Sequence, residues 1–335
     1  MEMLSKIRRT YKHAKEILRD NWVHSGEYSR QGMIKKARLP LFCDMLYAEI
    51  TAGSDYGNYY IFDYEHKSQK ERKEWITNHF NTHISYSHST KEIWNLFLDK
   101  GKFNARFKNF VHRGWLDTRE VSLEEVRRFI SKYDKVIIKP FDLSKGDGIF
   151  ILQTDDKKGV AQLTGEIDRG HHCLIEEVME NVPEIKALNP TSLNTIRIVT
   201  CVNSKDEIHF LCTVIRMGCT DGCTDNSYGG GITSYINPET GKISGEAKDR
   251  RRNSLAVHPR TGIHLLGYQI PQWQEVMEFA RQAARVVPEA KYVGWDIAVT
   301  TKGLELIEGN IPPGEGIIQV CDGIPKRRLL EEYLK

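Results

Sequence analysis

The stretch GWDIAVTTKGLELIEGN, Gly294 to Asn310, constrains the fold more than any other. Two apolar, strand-like runs flank Thr301-Lys302-Gly303, so the segment reads as a β-hairpin. With a three-residue loop, Thr300 pairs with Leu304 and Asp296 faces Glu308 across the ladder. Side chains alternate along a strand, so Asp296, Glu308 and Asn310 project to one side. Two carboxylates set opposite one another repel, and more so in a low-dielectric core. A structural explanation requires a compensating cation, and Lys302 at the loop tip is too far along the strands. A hard divalent cation such as Mg²⁺ or Mn²⁺, which takes oxygen ligands, resolves the conflict.

From Ser122 onward the chain is punctuated by strands. KVIIKPF is a short β-branched strand ending at Lys139, and DLSKGDG with Gly146 and Gly148 is a loop. IFILQT is the returning strand. Such a glycine loop lets backbone N–H groups approach phosphates closely, although a Walker A pattern is absent. SLEEVRRFISKY opens on a Ser-x-x-Glu capping box. HCLIEEVM, TIRIVTCV and IHFLCTVIRM read as strands, and GITSYINPETGKIS as a hairpin. PQWQEVMEFARQAARVV is an amphipathic helix. Residues 1 to about 99 read as helical and mixed. Helices alternating with mostly antiparallel strands give a layered α+β class.

Further candidate site residues sit within this frame. Arg197 and Arg216 lie inside strands, and a buried guanidinium needs an anion, whether a structural carboxylate or a substrate's phosphate or carboxylate. The strand CLIEEV ends in carboxylates, and its backbone suits a hinge that reads a base edge. DNSYGGGI, with Asp225, Asn226, Gly230 and Gly231, reads either as a flexible loop or as a close-approach loop beside a substrate. His83, His88, His171 and His172 read as surface or packing residues. FKNFVHRGWLD carries a His112-Arg113 pair like a protein-kinase catalytic loop, but its Asp is misplaced and no DFG follows.

Composition excludes some classes. At 335 residues, 40% hydrophobic and 28% charged, the chain suits two or three lobes of a globular protein. No apolar run approaches the ~20 residues of a membrane span, and no secretory h-region is visible. A net charge of +3 creates no global field for nucleic acid. Seven scattered cysteines fit a cytoplasmic chain with reduced thiols, and Cys219 and Cys223 lack zinc-ligand spacing. Lys6, Arg8, Arg9, Lys12, Lys15 and Arg19 populate a first helix, read as a solvated face or, alternatively, as peripheral contact with an anionic membrane.

The order strand-Lys, glycine hairpin, Glu-rich hinge, buried Arg and Asp…Glu-x-Asn resembles the ATP-grasp superfamily. SLNTIRIVT, DNSYGGGI, INPETGKI and VGWDIAVTTKGLELIEGN resemble its branch associated with sugar transfer and capsular polysaccharide clusters. The resemblance covers about Asp99 to Gly316. It implies two lobes whose antiparallel sheets clamp ATP, with a largely helical region 1–99, a lid subdomain 100–175 and a large subdomain 176–335. It implies Lys100 and Lys139 on phosphates and Ser144, Lys145, Gly146 and Gly148 in the lid loop. Glu176, Glu177 and Val178 match the adenine hinge, Glu184 the ribose acid, and Asp296, Glu308 and Asn310 the Mg²⁺ ligands. Arg197 and Arg216, with Lys139, are implied to neutralise the transferred phosphoryl group. The expected activity is ATP-dependent joining of a small, glycan-linked or amino-acid carboxylate to an amine through an acyl phosphate. The alternatives are a sugar or polyol kinase on this scaffold and a non-catalytic nucleotide-binding module.

Overall fold

The computed structural model describes residues 38–141, 148–225, 229–250 and 252–335. Two antiparallel sheets organise them. The smaller runs in the order β1 (Trp115–Asp117), β4 (Cys173–Glu177), β2 (Lys135–Pro140), β3 (Phe150–Gln153). Its alternation is legible in KVIIKP. Val136 and Ile138 turn to a core with Val126, Phe129 and Ile130 of helix Leu123–Ile130 and with Leu163 and Ile167 of helix Lys157–Asp168. The first of those helices starts with the capping box read in the sequence: Ser122 N–H donates to Glu125 Oε2 at 2.9 Å, and Glu125 N–H to Ser122 Oγ at 3.3 Å. Lys139 and Glu176 lie on the alternate register positions, away from those helices.

The larger sheet runs β11 (Gly303–Asn310), β10 (Tyr292–Thr300), β5 (Thr195–Val202), β6 (Ile208–Met217), β7 (Ile232–Tyr235), β8 (Ala247–Lys248), β9 (Ser254–Leu255). β5 and β10 are buried along their whole length, which requires cover on both faces. Ile196, Ile198, Trp295 and Ile297 pack against Phe97, Phe103 and helix Trp273–Val286. Val199, Cys201, Val214 and Tyr292 turn to Ile76, Ile318 and Leu330.

The segment 100–111, read in sequence as the start of the lid, buries Phe103, Phe107 and Val111 with the large sheet. Of the segment 38–98, the later part packs on the large sheet through Ile76, Phe80, Ile84 and Phe97, whereas Leu41, Met45, Ala48, Tyr59, Phe62 and Tyr64 form a core of their own. The basic helix expected before residue 38 lies outside the described residues. Among the described residues no helix is long and apolar enough to cross a membrane.

Packing under the hairpin is tight at Gly309, where a Cβ would come within 2.5 Å of Phe97 Cε1 and 2.8 Å of Phe103 Cε2. Gly309→Ala is expected to cost about 1–3 kcal/mol through overpacking. A urea titration of the variant against the native chain measures it.

Candidate active site

The hairpin that opened the sequence reading forms, by a different route from the one expected. Thr300 pairs with Gly303, leaving a two-residue turn, and Gly303 takes φ +108°. A bulge at Asp296/Ile297 then inserts Ile307, so Asp296 still faces Glu308. Turn and bulge shift the register in opposite senses and cancel.

What the sequence reading lacked was the compensating cation. β5 lies on the other side of β10, and its register sets Arg197 directly opposite Asp296. Arg197 Nη2 donates to Asp296 Oδ2 at 2.7 Å, its Nε bonds Oδ1, and Arg216 Nη1 reaches Oδ2 at 2.5 Å. Arg216 also pairs with Asp225 at 3.1 Å, and Asp225 accepts from the Thr195 N–H at 3.0 Å. The premise that this corner has no cation of its own is therefore corrected: two guanidinium groups neutralise Asp296. Lys302 is elsewhere, bonded to Glu177.

The neutralisation is incomplete. Arg197 and Arg216 face three carboxylates, Asp225, Asp296 and Glu308, which leaves one negative charge in excess. It falls on Glu308. Asp296 is 1% exposed, whereas the Glu308 side chain is 48% exposed and only 3.9 Å from Arg197 Nη2. Burial would raise the Asp296 carboxyl, but Arg197 and then Arg216 outweigh it and hold it near about 2. The Glu308 carboxyl is pushed up, first by the protein crowded around its base and then by the charge on Asp296, with the arginines offsetting only part. Asn310 gives its amide N–H groups to Gly294 O at 3.3 Å and Glu308 Oε1 at 3.4 Å, which leaves its carbonyl oxygen for a ligand. Among the described residues no three His, Cys, Asp or Glu side chains form a metal cluster. Two carboxylates, one amide oxygen and one surplus negative charge nevertheless fit an oxygen-seeking divalent cation that keeps other positions open.

The lysines approach from two elements, Lys139 from β2 of the small sheet and Lys100 from a helix packed on the large one. Lys139 Nζ lies 2.5 Å from Glu176 Oε2. Lys100, on the first turn of helix Lys100–Arg106 behind the N-cap Asp99, reaches Pro140 O at 3.5 Å. Burial lowers the Lys100 ammonium, Glu308 pulls it back up and Lys139 lowers it again, so these groups share one electrostatic neighbourhood.

Glu176 turns into the interior. It accepts from Arg113 Nη2 at 2.8 Å and Asn104 Nδ2 at 2.9 Å, while Arg113 Nη1 meets Glu305 Oε1 at 2.7 Å. Burial alone would raise the Glu176 carboxyl, but Arg113 and Lys139 hold it far below the usual range. Glu176 is also paired on both sides within the sheet, so any contact with a base would come from the backbone at Val178, just after β4. Glu177 is tied to the Gly114 N–H at 3.1 Å and to Lys302.

Ser144, Lys145, Gly146 and Asn226 lie outside the described residues. Gly148 has φ +71° at the end of the lid loop, and Gly230 has φ +87° in the loop before β7. Gly231 follows Gly230 and is buried. That loop also meets the lid, where Cys223 Sγ is 3.8 Å from Ile149 O. Glu184 is exposed on helix Pro183–Leu188, and no side-chain contact among the described residues joins it to the cluster.

The sequence reading missed the Arg113–Glu176–Glu305 network. Its signal was present: Glu305 sits between Leu304 and Leu306 in a strand, a carboxylate where an apolar run should continue.

The chain belongs to the sugar-transfer associated ATP-grasp family, whose pattern matches residues 110–332. No curated protein matches it. Among solved structures it is similar to D-alanyl-alanine synthetase A from Vibrio cholerae, with a TM-score of 0.44 and 11% identity over 73% of this chain and 63% of that one. It is also similar to the ATP-grasp ligase PsnB complexed with minimal precursor, with a TM-score of 0.42 and 14% identity over 68% and 56%. The D-alanine–D-alanine ligase of Coxiella burnetii gives 0.43 and 10% over 68% and 51%. The chain therefore spans less than two thirds of each of these proteins.

Proposed function

We propose that the protein is an ATP-dependent carboxylate–amine ligase that makes an amide through an acyl phosphate, on a glycan-linked or amino-acid substrate. The observation that carries the reading is the convergence at one corner of two cationic groups, Lys139 from the small sheet and Lys100 from helix Lys100–Arg106, with an oxygen-donor set carrying one surplus negative charge. That complementarity suits a nucleotide triphosphate with its divalent cation. A ligand of either sign alone would leave half of the corner unmatched.

A carboxylate is a poor acyl donor, and phosphorylation gives it a leaving group. The chain's part is to position two anions against each other. An ammonium has three donors, so Lys139 keeps two for phosphate oxygens after bonding Glu176. Lys100 adds a second cation. Arg197 and Arg216, locked on Asp296, hold its carboxylate in a fixed position, which costs no reorganisation as charge develops. Asp296, Glu308 and Asn310 would hold Mg²⁺ or Mn²⁺, which when bound neutralises phosphate oxygens and polarises the phosphoryl group. No nucleophilic Ser or Cys is required.

A coupled assay for ADP and free phosphate, run with amino acids and small peptides against uronic acids, tests the reading. Release that needs both an acid and an amine is expected. A stable phosphorylated product without free phosphate, or release of AMP, overturns it.

A further inference from the structure

Beyond the corner, β11 leads into Ile311–Glu315, and this segment closes over a second polar cluster. Asn81 Nδ2 bonds Pro313 O, and Asn58 Nδ2 donates to Glu315 Oε1 at 3.0 Å. Asp55 caps the helix Tyr56–Ile61, accepting from the Asn58 N–H at 2.7 Å and from Asn78 Nδ2 at 3.0 Å. Three atoms in this region have no partner: Asn81 Oδ1, Ser85 Oγ and the Tyr292 hydroxyl, on residues each at most 2% exposed. Asn81 and Ser85 are four apart on helix Asn78–Ser87 and so share its inner face. The Tyr292 hydroxyl and the Asn81 amide both sense the Glu315 carboxylate.

The charge of this cluster is the anomaly. Burial raises the Glu315 carboxyl, and neighbouring Asp55 raises it further against the hydrogen bonds from Asn58 and Asn81. No lysine, arginine or histidine pairs with Glu315 or Asp55 among the described residues. A buried carboxylate without a cation is costly, and so are unpartnered buried acceptors. Glu315 is itself only half-buried, so the cluster lies close to the surface on that side.

We infer that Glu315, Asn81 and Ser85 form a subsite for a primary ammonium group of the amine-bearing substrate, one other than the amine that is acylated, which must reach the acyl phosphate unprotonated. A primary ammonium carries three N–H donors, and the cluster offers three acceptors: the carboxylate, Asn81 Oδ1 and Ser85 Oγ. Placement agrees with the chemistry. Tyr292, Gly294 and Asp296 alternate onto one face of β10, so the subsite lies along the face that carries the metal corner, about 13 Å of strand from Asp296. Pro313 bridges the two, with its Cβ 3.2 Å from where a Cβ on Gly294 would stand. Assigning the ammonium to a substrate rests on the ligase reading, whereas the cation site rests only on this cluster.

The test uses the full chain and ligand-observed NMR with ethanolamine and methylammonium, against ethylene glycol and methanol as neutral counterparts. The ammonium probes are expected to bind saturably and the neutral ones not. Glu315→Gln should weaken ammonium binding at least tenfold and Ser85→Ala several-fold, with Mg·ADP affinity unchanged in both. Without ligand, Glu315→Gln should melt no lower than the native chain, because it keeps an acceptor for Asn58 and removes an unpaired charge. A purely structural carboxylate would instead lower the melting temperature. Neutral probes binding equally, potassium ions displacing the probes at equal concentration, or both variants binding as the native chain does, each overturns the subsite. If amide formation occurs with the same amine KM in Glu315→Gln, the subsite falls and the ligase reading stands. If the probes bind through Glu315 but ADP release needs no amine, the ligase reading and the substrate assignment fall.

Discussion

Arg113→Ala is expected to lower the free energy of unfolding by about 3–5 kcal/mol, the usual consequence of removing one partner from a buried ion cluster. Among the described residues the guanidinium is the only side chain that bonds both Glu176 of the small sheet and Glu305 of the large one. It also donates to the Leu306 carbonyl at 2.7 Å. Without it, Glu305 keeps only backbone N–H donors from His112 and Arg113 and a 3.4 Å contact to the His112 ring. Glu176 keeps Lys139 and Asn104. Glu305 would be left buried without a full cation, and Glu176 would rest on Lys139 as its remaining cation, which would draw that lysine from any phosphate it serves. Arg113→Met retains most of the volume but none of the charge, so it should remain destabilising. The double change Arg113→Met/Glu305→Gln should recover part of the loss, since one orphaned carboxylate is then gone. Equilibrium urea unfolding separates the cases. A loss under about 1 kcal/mol for Arg113→Ala would mean that the cluster is hydrated or rearranges freely.

The local elements were readable because their signals are local. The capping box at Ser122, the alternation in KVIIKP and the amphipathic helix 273–286 each depend on residues within a few positions of one another. The facing of Asp296 and Glu308 was also readable, although the turn is one residue shorter than expected and the bulge at Ile307 restores the register. The neutralisation of Asp296 was not readable. Arg197 and Arg216 stand 99 and 80 residues before it, and only the pairing of β5 with β10 and β6 brings them together. No periodicity in a single strand encodes which strand lies beside it. The sequence therefore showed that a buried arginine needs an anion and that a buried carboxylate pair needs a cation, without showing that each in part answers the other. The helical character of the region before residue 99 was readable, but its packing was not: some of its apolar residues meet a sheet formed much later in the chain and others meet one another.

That charge balance separates two residues that a shared ligand assignment would treat alike. Glu308→Gln is expected to reduce acid- and amine-dependent ADP release by about 10²–10³-fold, as for loss of one preorganised electrostatic contact, while leaving stability equal or higher. Its carboxylate is half exposed and carries the excess charge opposite Asp296, so neutralising it relieves a repulsion and opens no cavity. Asp296→Asn should lose activity and stability together. It leaves Arg197 and Arg216 buried with Asp225 as their remaining close carboxylate, a loss on the order of 3–5 kcal/mol. Thermal melts and ADP release on the same preparations distinguish the two outcomes. If Glu308→Gln melted as low as Asp296→Asn, Glu308 would be part of the neutral core and the corner would have no surplus charge to offer a cation. If it melted normally and turned over normally, the oxygen donors would lie outside the reacting site.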